Sequence, residues 1–489
     1  MMIDERLSTM SVNSTMRPAC LCIHGHFYQP PREDPFNGLL PVEPGATPFP
    51  NYNEKITAEC YCPNAELGNF EFMSYDMGPT LAAWLEEHHT DVYQRIMECE
   101  SRHWQRYGVS NALAQTFNHT ILPLMSSRDK RTQILWGLSD YRHRYGHDAH
   151  GMWCPETAVD LESLDLLTQN GITYTILAPW QAAQPIDPSE PYLLKLPSGR
   201  SITVFFYHNC SGGVSFRQDL TINADTFAAY ELPVYRNHDK HRVGISQMLV
   251  LATDGELYGH HQPWRDQFLS HLIRHAAPEN GFEVCLLERY MRMYPARQEV
   301  QLHVPSSWSC AHGIARWSTG CTCTEGDSNW KGALLKAITD LNERSAQIFE
   351  QYASEELDDP WAARDEYLAL HNGWQTPVCF WEHHGKEHRL SDASVAWQTQ
   401  MLLEAQYYHQ YSFTSCGWFF EDLDRIEPRN DIAFARRAIS LIFQATGINL
   451  QSAFVEDLEH VRSWRTGLTG ADLYKKLVSQ PSGLLPHLD

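Results

Sequence analysis

Between residues 18 and 287, short runs of apolar, β-branched and aromatic residues alternate with segments whose apolar positions recur at helical spacing. That alternation marks a parallel α/β fold. Strands are expected over 19–23, 112–117, 173–177, 202–207, 248–253 and 283–287. Most of them run into a polar or small cluster: His24-Gly25-His26, Asn118-His119, His208-Asn209 and Asp254-Gly255-Glu256. Polar clusters at several strand ends point to one shared mouth, which a barrel supplies. An open doubly wound sheet would gather its ligand at a single switch point instead. The expected architecture is an α/β barrel, irregular or incomplete.

The texture changes past Pro305. Residues 330–350, 394–411 and 432–443 carry apolar residues at helical spacing, Pro360, Pro377 and Pro428 punctuate the region, and few strand-like runs remain. A C-terminal helical bundle packed on the barrel is expected. The chain thus divides into a flexible N-terminus (1–17), a catalytic barrel (18–304) and a helical domain (305–489) that contributes to the barrel mouth. Proline and glycine between 37 and 50 mark a long loop.

At 489 residues the chain is long enough for two or three structural units. Its formal net charge of -22 would repel nucleic acid and anionic membranes, so neither is an expected partner. A neutral sugar polymer is indifferent to that field. Aromatic residues make up 12 %, with 15 Trp among them; most belong in the core, and the remainder suit stacking on sugar rings. No apolar run is long enough to span a bilayer, and Met1-Met2-Ile3-Asp4-Glu5-Arg6 has the features of neither a secretory signal nor a transit peptide. Thirteen cysteines, an odd number, fit reduced thiols in a cytoplasm better than a disulfide framework.

Two acids stand out. Asp254 follows the apolar run Met248-Leu249-Val250-Leu251-Ala252, where α/β barrels keep their chemistry, and Glu156 closes Trp153-Cys154-Pro155-Glu156. Glycoside cleavage needs one carboxyl to attack or stabilise a cation and another to hold a proton. Plainer readings exist: Asp254 as a helix N-cap, Glu156 as a surface glutamate. The Trp, Pro and Gly around Glu156 are unusual for a solvated face. Glu256 and His260 lie close enough in sequence to tune the proton affinity of Asp254, as a general acid requires.

His24 and His26 alternate on leaving one strand and so share a side, and His119 follows another. All three are placed to hold sugar hydroxyls, or else to bond within their loops. Trp153 would floor a pyranose ring, and Trp308 and Trp317 look like stacking residues on a loop. Cys310, His312, Cys321 and Cys323 total four soft ligands, enough for a tetrahedral zinc. Their CxH…CxC spacing lacks the usual CxxC knuckle, and the pairs Cys20/Cys22 and Cys60/Cys62 recur without nearby ligands. Free thiols are therefore expected, and no metal is assigned.

Taken in order, these segments resemble glycoside hydrolase family 57, which includes α-amylases, 4-α-glucanotransferases and branching enzymes. His24 to Pro30 resembles the first conserved region, a His-Gln-Pro signature, although Phe27 and Tyr28 stand here between His26 and Gln29. Residues 108–119 are similar to the second, more loosely. Trp153 to Glu156 looks like the third, whose Glu is the nucleophile. Asp254 to Gly259 looks like the fourth, whose leading Asp is the acid/base, and Trp308 to Trp317 resembles the fifth.

The resemblance covers roughly the first two thirds of the chain. The remainder, with Phe413-Thr414-Ser415-Cys416-Gly417-Trp418-Phe419-Phe420, looks like an uncharacterised helical domain fused to one bacterial subgroup. It implies an incomplete (β/α)7 barrel followed by helices, and a retaining reaction on α-glucans with no cofactor. Glu156 would be the nucleophile and Asp254 the acid/base. His24, His26, Gln29, His119, Trp153, His260, Trp308, His312 and Trp317 are expected around the substrate; water and a sugar hydroxyl are both admissible acceptors. Two rivals fit the same residues. A metal-dependent carbohydrate deacetylase or mannosidase-like barrel would use His24, His26, Asp254 and His260 as ligands. A non-catalytic glucan-binding protein would keep the pocket and lose turnover, against which the presence of both carboxyls argues.

Overall fold

A computed structural model describes residues 19–386 and 393–479; the N-terminus expected to be flexible, 1–17, lies outside the described residues. The strands are β1 (Ala19–Phe27), β2 (Ser74–Met77), β3 (Ala112–Gln115), β4 (Met152–Trp153), β5 (Tyr174–Leu177), β6 (Tyr192–Lys195), β7 (Ser201–Phe206), β8 (Gln247–Asp254), β9 (Phe282–Val284) and β10 (Gln298–Val300). One sheet runs β4-β3-β2-β1-β8 with β9 also against β1, and a second runs β10-β6-β7-β5. Pairing is parallel except in the β6–β7 hairpin.

The two sheets meet at both ends. Gly151 bridges Tyr174 between β4 and β5, and the His208 N–H donates to the Val250 carbonyl between β7 and β8 at 2.8 Å. Seven parallel strands, β1 to β5 with β7 and β8, therefore curl into the incomplete barrel that the sequence leads one to expect. All six expected strands are present within a few residues, although the segment at 283–287 is strand only as far as Val284 and enters the helix Leu287–Met293. β2 and β4 in the barrel, and β6 and β10 beside it, were not expected. The inward positions of β2 are polar and β4 has two residues, so neither makes an apolar run.

Alternation along the strands decides what faces the interior. Cys20, Cys22, Leu113, Trp153, Tyr174, Ile176, Phe205, Met248, Val250 and Ala252 fill the barrel. The residues between them, Ala19, Leu21, Ile23, Tyr75, Val204, Phe206, Leu249 and Leu251, pack beneath the surrounding helices. Continued toward the mouth, the inward phase brings His24 and His26 on β1, Ser74 and Asp76 on β2, Gln115 on β3 and Asp254 on β8. The polar site is thus the upper layer of an otherwise apolar core.

The C-terminal region is helical, built on Trp330–Ala353, Pro360–His371, Ala393–Tyr411 and Ile426–Thr446. It shares a core with the barrel: Phe117, Ile121, Met125 and Trp136 join Leu334, Phe349, Leu403 and Ile439. A buried polar knot reinforces the seam, where Asp129 accepts from Arg364 Nη1 (2.9 Å), Gln410 Nε2 (2.8 Å) and Asn342 Nδ2 (3.0 Å). Burial alone would raise the Asp129 carboxyl; Arg364 and these donors hold it below the ordinary range. Among the described residues no helix is long and apolar enough to cross a membrane.

The helix Ser127–Tyr145 lies against β3 backbone to backbone at Gly137, where an added Cβ would stand 2.0 Å from the Gln115 carbonyl oxygen. Gly137→Ala is expected to destabilise the protein by about 3 kcal/mol through overpacking. Urea denaturation measures this, and an unchanged midpoint would contradict the close approach.

Candidate active site

β1 is the axis of the site. In the parallel register His26 stands beside Asp76 of β2 and beside Asp254 of β8, which sets three side chains in a row across the mouth. Asp76 is fully buried and accepts at both oxygens. His24 Nε2 lies 3.1 Å from Oδ1, His26 Nδ1 lies 2.8 Å from Oδ2, and Gln115 Nε2 donates to Oδ2 as well. Burial pushes the Asp76 carboxyl up, but the His26 charge and the donors from both histidines overcome it and hold Asp76 down at about 2. Burial likewise pushes His26 down, yet Asp76, with Asp254 and Glu256, lifts it to about 9. His26 is therefore a cation at neutral pH. His24, for which burial wins, is held below the ordinary histidine range.

A charged His26 has a proton on each ring nitrogen. Nδ1–H donates to Asp76, and Nε2–H donates to His119 Nε2 at 3.0 Å. Burial and the neighbouring His26 charge keep His119 neutral, well below the ordinary range. Its remaining proton must then sit on Nδ1, 2.6 Å from Ser415 Oγ in the C-terminal region. The Ser415 N–H also donates to the His119 carbonyl at 3.1 Å. Trp153 underlies the row, stacked 4.8 Å from His24 and 5.3 Å from His26, and Tyr28 stacks on His119 at 3.9 Å.

Glu156 lies just past β4, at φ 57° and ψ 18°. Thr157 and His119 also have positive φ, 46° and 54°. Side chains other than glycine rarely adopt this region, and such strain collects at functional sites. The loop after β10 pins Glu156: Trp308 Nε1–H donates to Oε2 at 2.9 Å, Ser309 Oγ–H donates to the same oxygen at 2.5 Å, and the Trp308 N–H donates to the Glu156 carbonyl at 3.0 Å. Oε1 has no protein donor among the described residues. Burial raises the Glu156 carboxyl above the ordinary range and the Asp254 charge adds to it, against the Ser309 and Trp308 donors and the His26 cation.

A second acid of the Asp254 motif, Glu256, lies two residues on. Buried at 6 % exposure, it accepts from Tyr61 Oη (2.7 Å) and the Tyr28 N–H (3.2 Å). Burial, with the Asp254 charge, raises it to about 7. Asp254 itself is exposed.

The fold gathers His24, His26, His119, Trp153, Glu156, Asp254 and Trp308 at one mouth, with Trp308 edge-on to Trp153 at 5.0 Å. Trp153 is wholly buried, so it forms the floor under the histidines and offers no open face. Gln29 donates to Tyr61 Oη (3.1 Å) and accepts from Arg32 Nη2 (3.0 Å), which places it behind Glu256. His260 is set aside, its Nδ1 2.6 Å from Glu59 Oε2. With His261, Arg32, Tyr52, Phe420 and Arg429 it lines a cavity of about 1040 Å³.

Two expectations are corrected. Trp317, expected to face sugar, is 1 % exposed and packs against Phe419 in the C-terminal core. His312, expected to hold a hydroxyl, stands with its Nδ1 3.4 Å from Cys323 Sγ. Asp76, Ser309 and Ser415 were not singled out from sequence. A short polar strand and two hydroxyls in loops give no local signal, although the inward phase of β2 would have found Asp76.

An incomplete parallel barrel extended by helices is the build of a class of glycoside hydrolases and transferases. Residues 48–303 match Glycosyl hydrolase family 57, more than half of the chain, and residues 327–484 match a Domain of unknown function (DUF3536). The chain belongs to glycosyl hydrolase family 57. No curated protein matches it in sequence. Solved structures with similar folds include an exo-type maltose-forming amylase from Pyrococcus sp. ST04, with 15 % identity, a TM-score of 0.72 and coverage of 94 % of this chain and 87 % of that one. A GH57-type branching enzyme from Pyrococcus horikoshii follows at 14 % and 0.60, covering 94 % of each chain. A 4-alpha-glucanotransferase from Thermococcus litoralis matches at 16 % and 0.52, over 86 % of this chain and 60 % of that one. At these identities the likeness is one of fold.

Asp76→Asn is expected to cost about 3–5 kcal/mol, as when one partner of a buried ion pair is lost. It should also bring the His26 titration down from about 9, because the Asp76 charge is what lifts it against burial. Histidine NMR titration reads the second effect, and an unmoved His26 would contradict Asp76 as the source of its charge.

Glu256 takes up a proton more readily in the native protein than in the unfolded chain, whose ordinary value is 4.5. Its contribution to stability is thus fully present below pH 4.5 and is lost as pH rises through about 7. The whole loss is at most about 3 kcal/mol. Glu256→Gln should flatten the decline in stability across that window. Denaturation of both proteins at several pH values tests it, and parallel curves would refute it.

Proposed function

We propose that the protein is a retaining glycosidase or transglycosylase acting on α-glucans, with Glu156 as nucleophile and Asp254 as acid/base. The observation that carries this reading is the tethering of Glu156. Two donors fix Oε2 and leave Oε1 for the anomeric carbon. The amylase, branching enzyme and glucanotransferase of similar fold support the substrate class.

In the first step Glu156 attacks the anomeric carbon as its bond to the glycosidic oxygen breaks, and Asp254 gives its proton to that oxygen. In the second, ionised Asp254 takes a proton from water or a sugar hydroxyl, whose oxygen displaces Glu156 and restores the anomeric configuration. Retention of this kind calls for carboxyls about 5–5.5 Å apart. Glu156 must be ionised to attack. The Ser309 and Trp308 donors and the His26 cation work toward that state against burial. Asp254, exposed at the mouth, is open to the proton exchange that its two roles demand.

The metal-dependent alternative finds less support. His24 and His26 are both committed to Asp76 and His260 to Glu59, so the four residues it would need do not converge. Glu156→Gln is expected to lower turnover of maltooligosaccharides by at least about 1,000-fold while leaving glucan binding near its original strength. Proton NMR of the first product should show the anomer of the substrate. A variant that keeps a tenth of the activity, or an inverted product, would sink the assignment.

A further inference from the structure

Between Val300 and Trp330 the chain has only one turn of helix, Ala315–Trp317, among otherwise irregular backbone. Loops of that length inside a compact protein are uncommon without a function or a fastening. This one carries Trp308 and Ser309, the donors to Glu156, and the next residue is Cys310.

Four donor atoms converge within it. Cys310 Sγ is 3.6 Å from Cys321 Sγ and 3.9 Å from Cys323 Sγ, and Cys323 Sγ is 3.4 Å from His312 Nδ1. All four lie within 4.8 Å of one another. A disulfide would hold its sulfurs at about 2.05 Å, so the thiols are unpaired. A tetrahedron with Zn–S bonds of about 2.3 Å and Zn–N bonds of about 2.0–2.1 Å has edges of roughly 3.8 Å between sulfurs and 3.6 Å from sulfur to nitrogen. The Cys310–Cys321, Cys310–Cys323 and Cys323–His312 separations lie within about 0.2 Å of those edges, and the remaining ones do not exceed 4.8 Å.

The surroundings fit the charge that such a centre would carry. Three thiolates around a divalent ion leave one negative charge. Lys331 is fully buried and its Nζ donates to Thr324 Oγ1 at 3.3 Å. Arg316 Nη2 donates to the Cys323 carbonyl at 3.1 Å. Two cations thus stand beside the cluster.

We propose that Cys310, His312, Cys321 and Cys323 bind one structural zinc ion that fastens the loop bearing the Glu156 donors. Four protein ligands leave no open position, so the ion takes no part in the reaction. The spacing alone favoured free thiols; the folded loop brings the donors together in spite of it.

The full-length protein, stripped with a chelator and reloaded with zinc, should hold about one ion per chain by mass spectrometry. Reloaded with cobalt instead, it should show the intense visible bands of tetrahedral thiolate ligation. Cys321→Ala/Cys323→Ala should lose both signals with its helical circular dichroism intact, and Cys379→Ala, at an exposed cysteine elsewhere, should keep them. Removal of zinc from the wild type should expose 305–325 to limited proteolysis, and readdition should restore protection. The wild-type exchange and protection do not depend on any variant folding. Failure of the wild type to retain zinc or to develop the cobalt bands would overturn the proposal. Metal kept by the double variant would do the same, placing the ion elsewhere, for instance at Glu366, His383 and His384.

Discussion

A carboxylate sealed inside a barrel costs several kcal/mol unless donors and an opposite charge meet it. Asp76 is sealed in this way, and the mouth is arranged around satisfying it. His24 and His26 share its two oxygens with Gln115. Because Asp76 is ionised, His26 stays protonated; because His26 is protonated, His119 is neutral and turns its remaining N–H to Ser415. The protonation pattern runs from one buried charge outward to the C-terminal region. The register of β1 makes it possible, since it sets Asp76 and Asp254 on either side of the same histidine.

Much of this was legible in the chain. The inward residues of β1 and β8 are apolar or small at the base and turn to His24, His26 and Asp254 at the top, and a period of two carries the eye from core to site. Glu156 stands out through its company of Trp, Pro and Gly, and Trp308 through its place on a loop. What escaped did so for different physical reasons. Ser74 and Asp76 face inward on a four-residue strand, so the polar character that makes β2 chemically useful removes the apolar run that reveals a strand. Trp317 in a polar stretch reads as exposed, and its partner Phe419 is distant in the chain. Glu256 reads as a mere neighbour of Asp254, whereas burial, with the Asp254 charge, raises its proton affinity against the Tyr61 donor.

The barrel and the helical region are joined chemically as well as by packing. Asp129 collects donors from three helices of that region, and Phe117 and Trp136 extend the barrel wall into the same apolar cluster. The segment around Ser415 pairs with the backbone at His119 and Thr120. Packing and hydrogen bonding therefore hold the mouth from above.

Glu156 and His119 sit in the part of the chain that matches the hydrolase family, but their side-chain partners lie beyond it: Trp308 and Ser309, which donate to Glu156, follow residue 303, and Ser415, which bonds His119, falls within the DUF3536 segment. Module boundaries drawn from homology and the boundary of the working centre do not coincide. A chimera that grafted this barrel onto a foreign C-terminal half would inherit Glu156 and His119 stripped of their tethers.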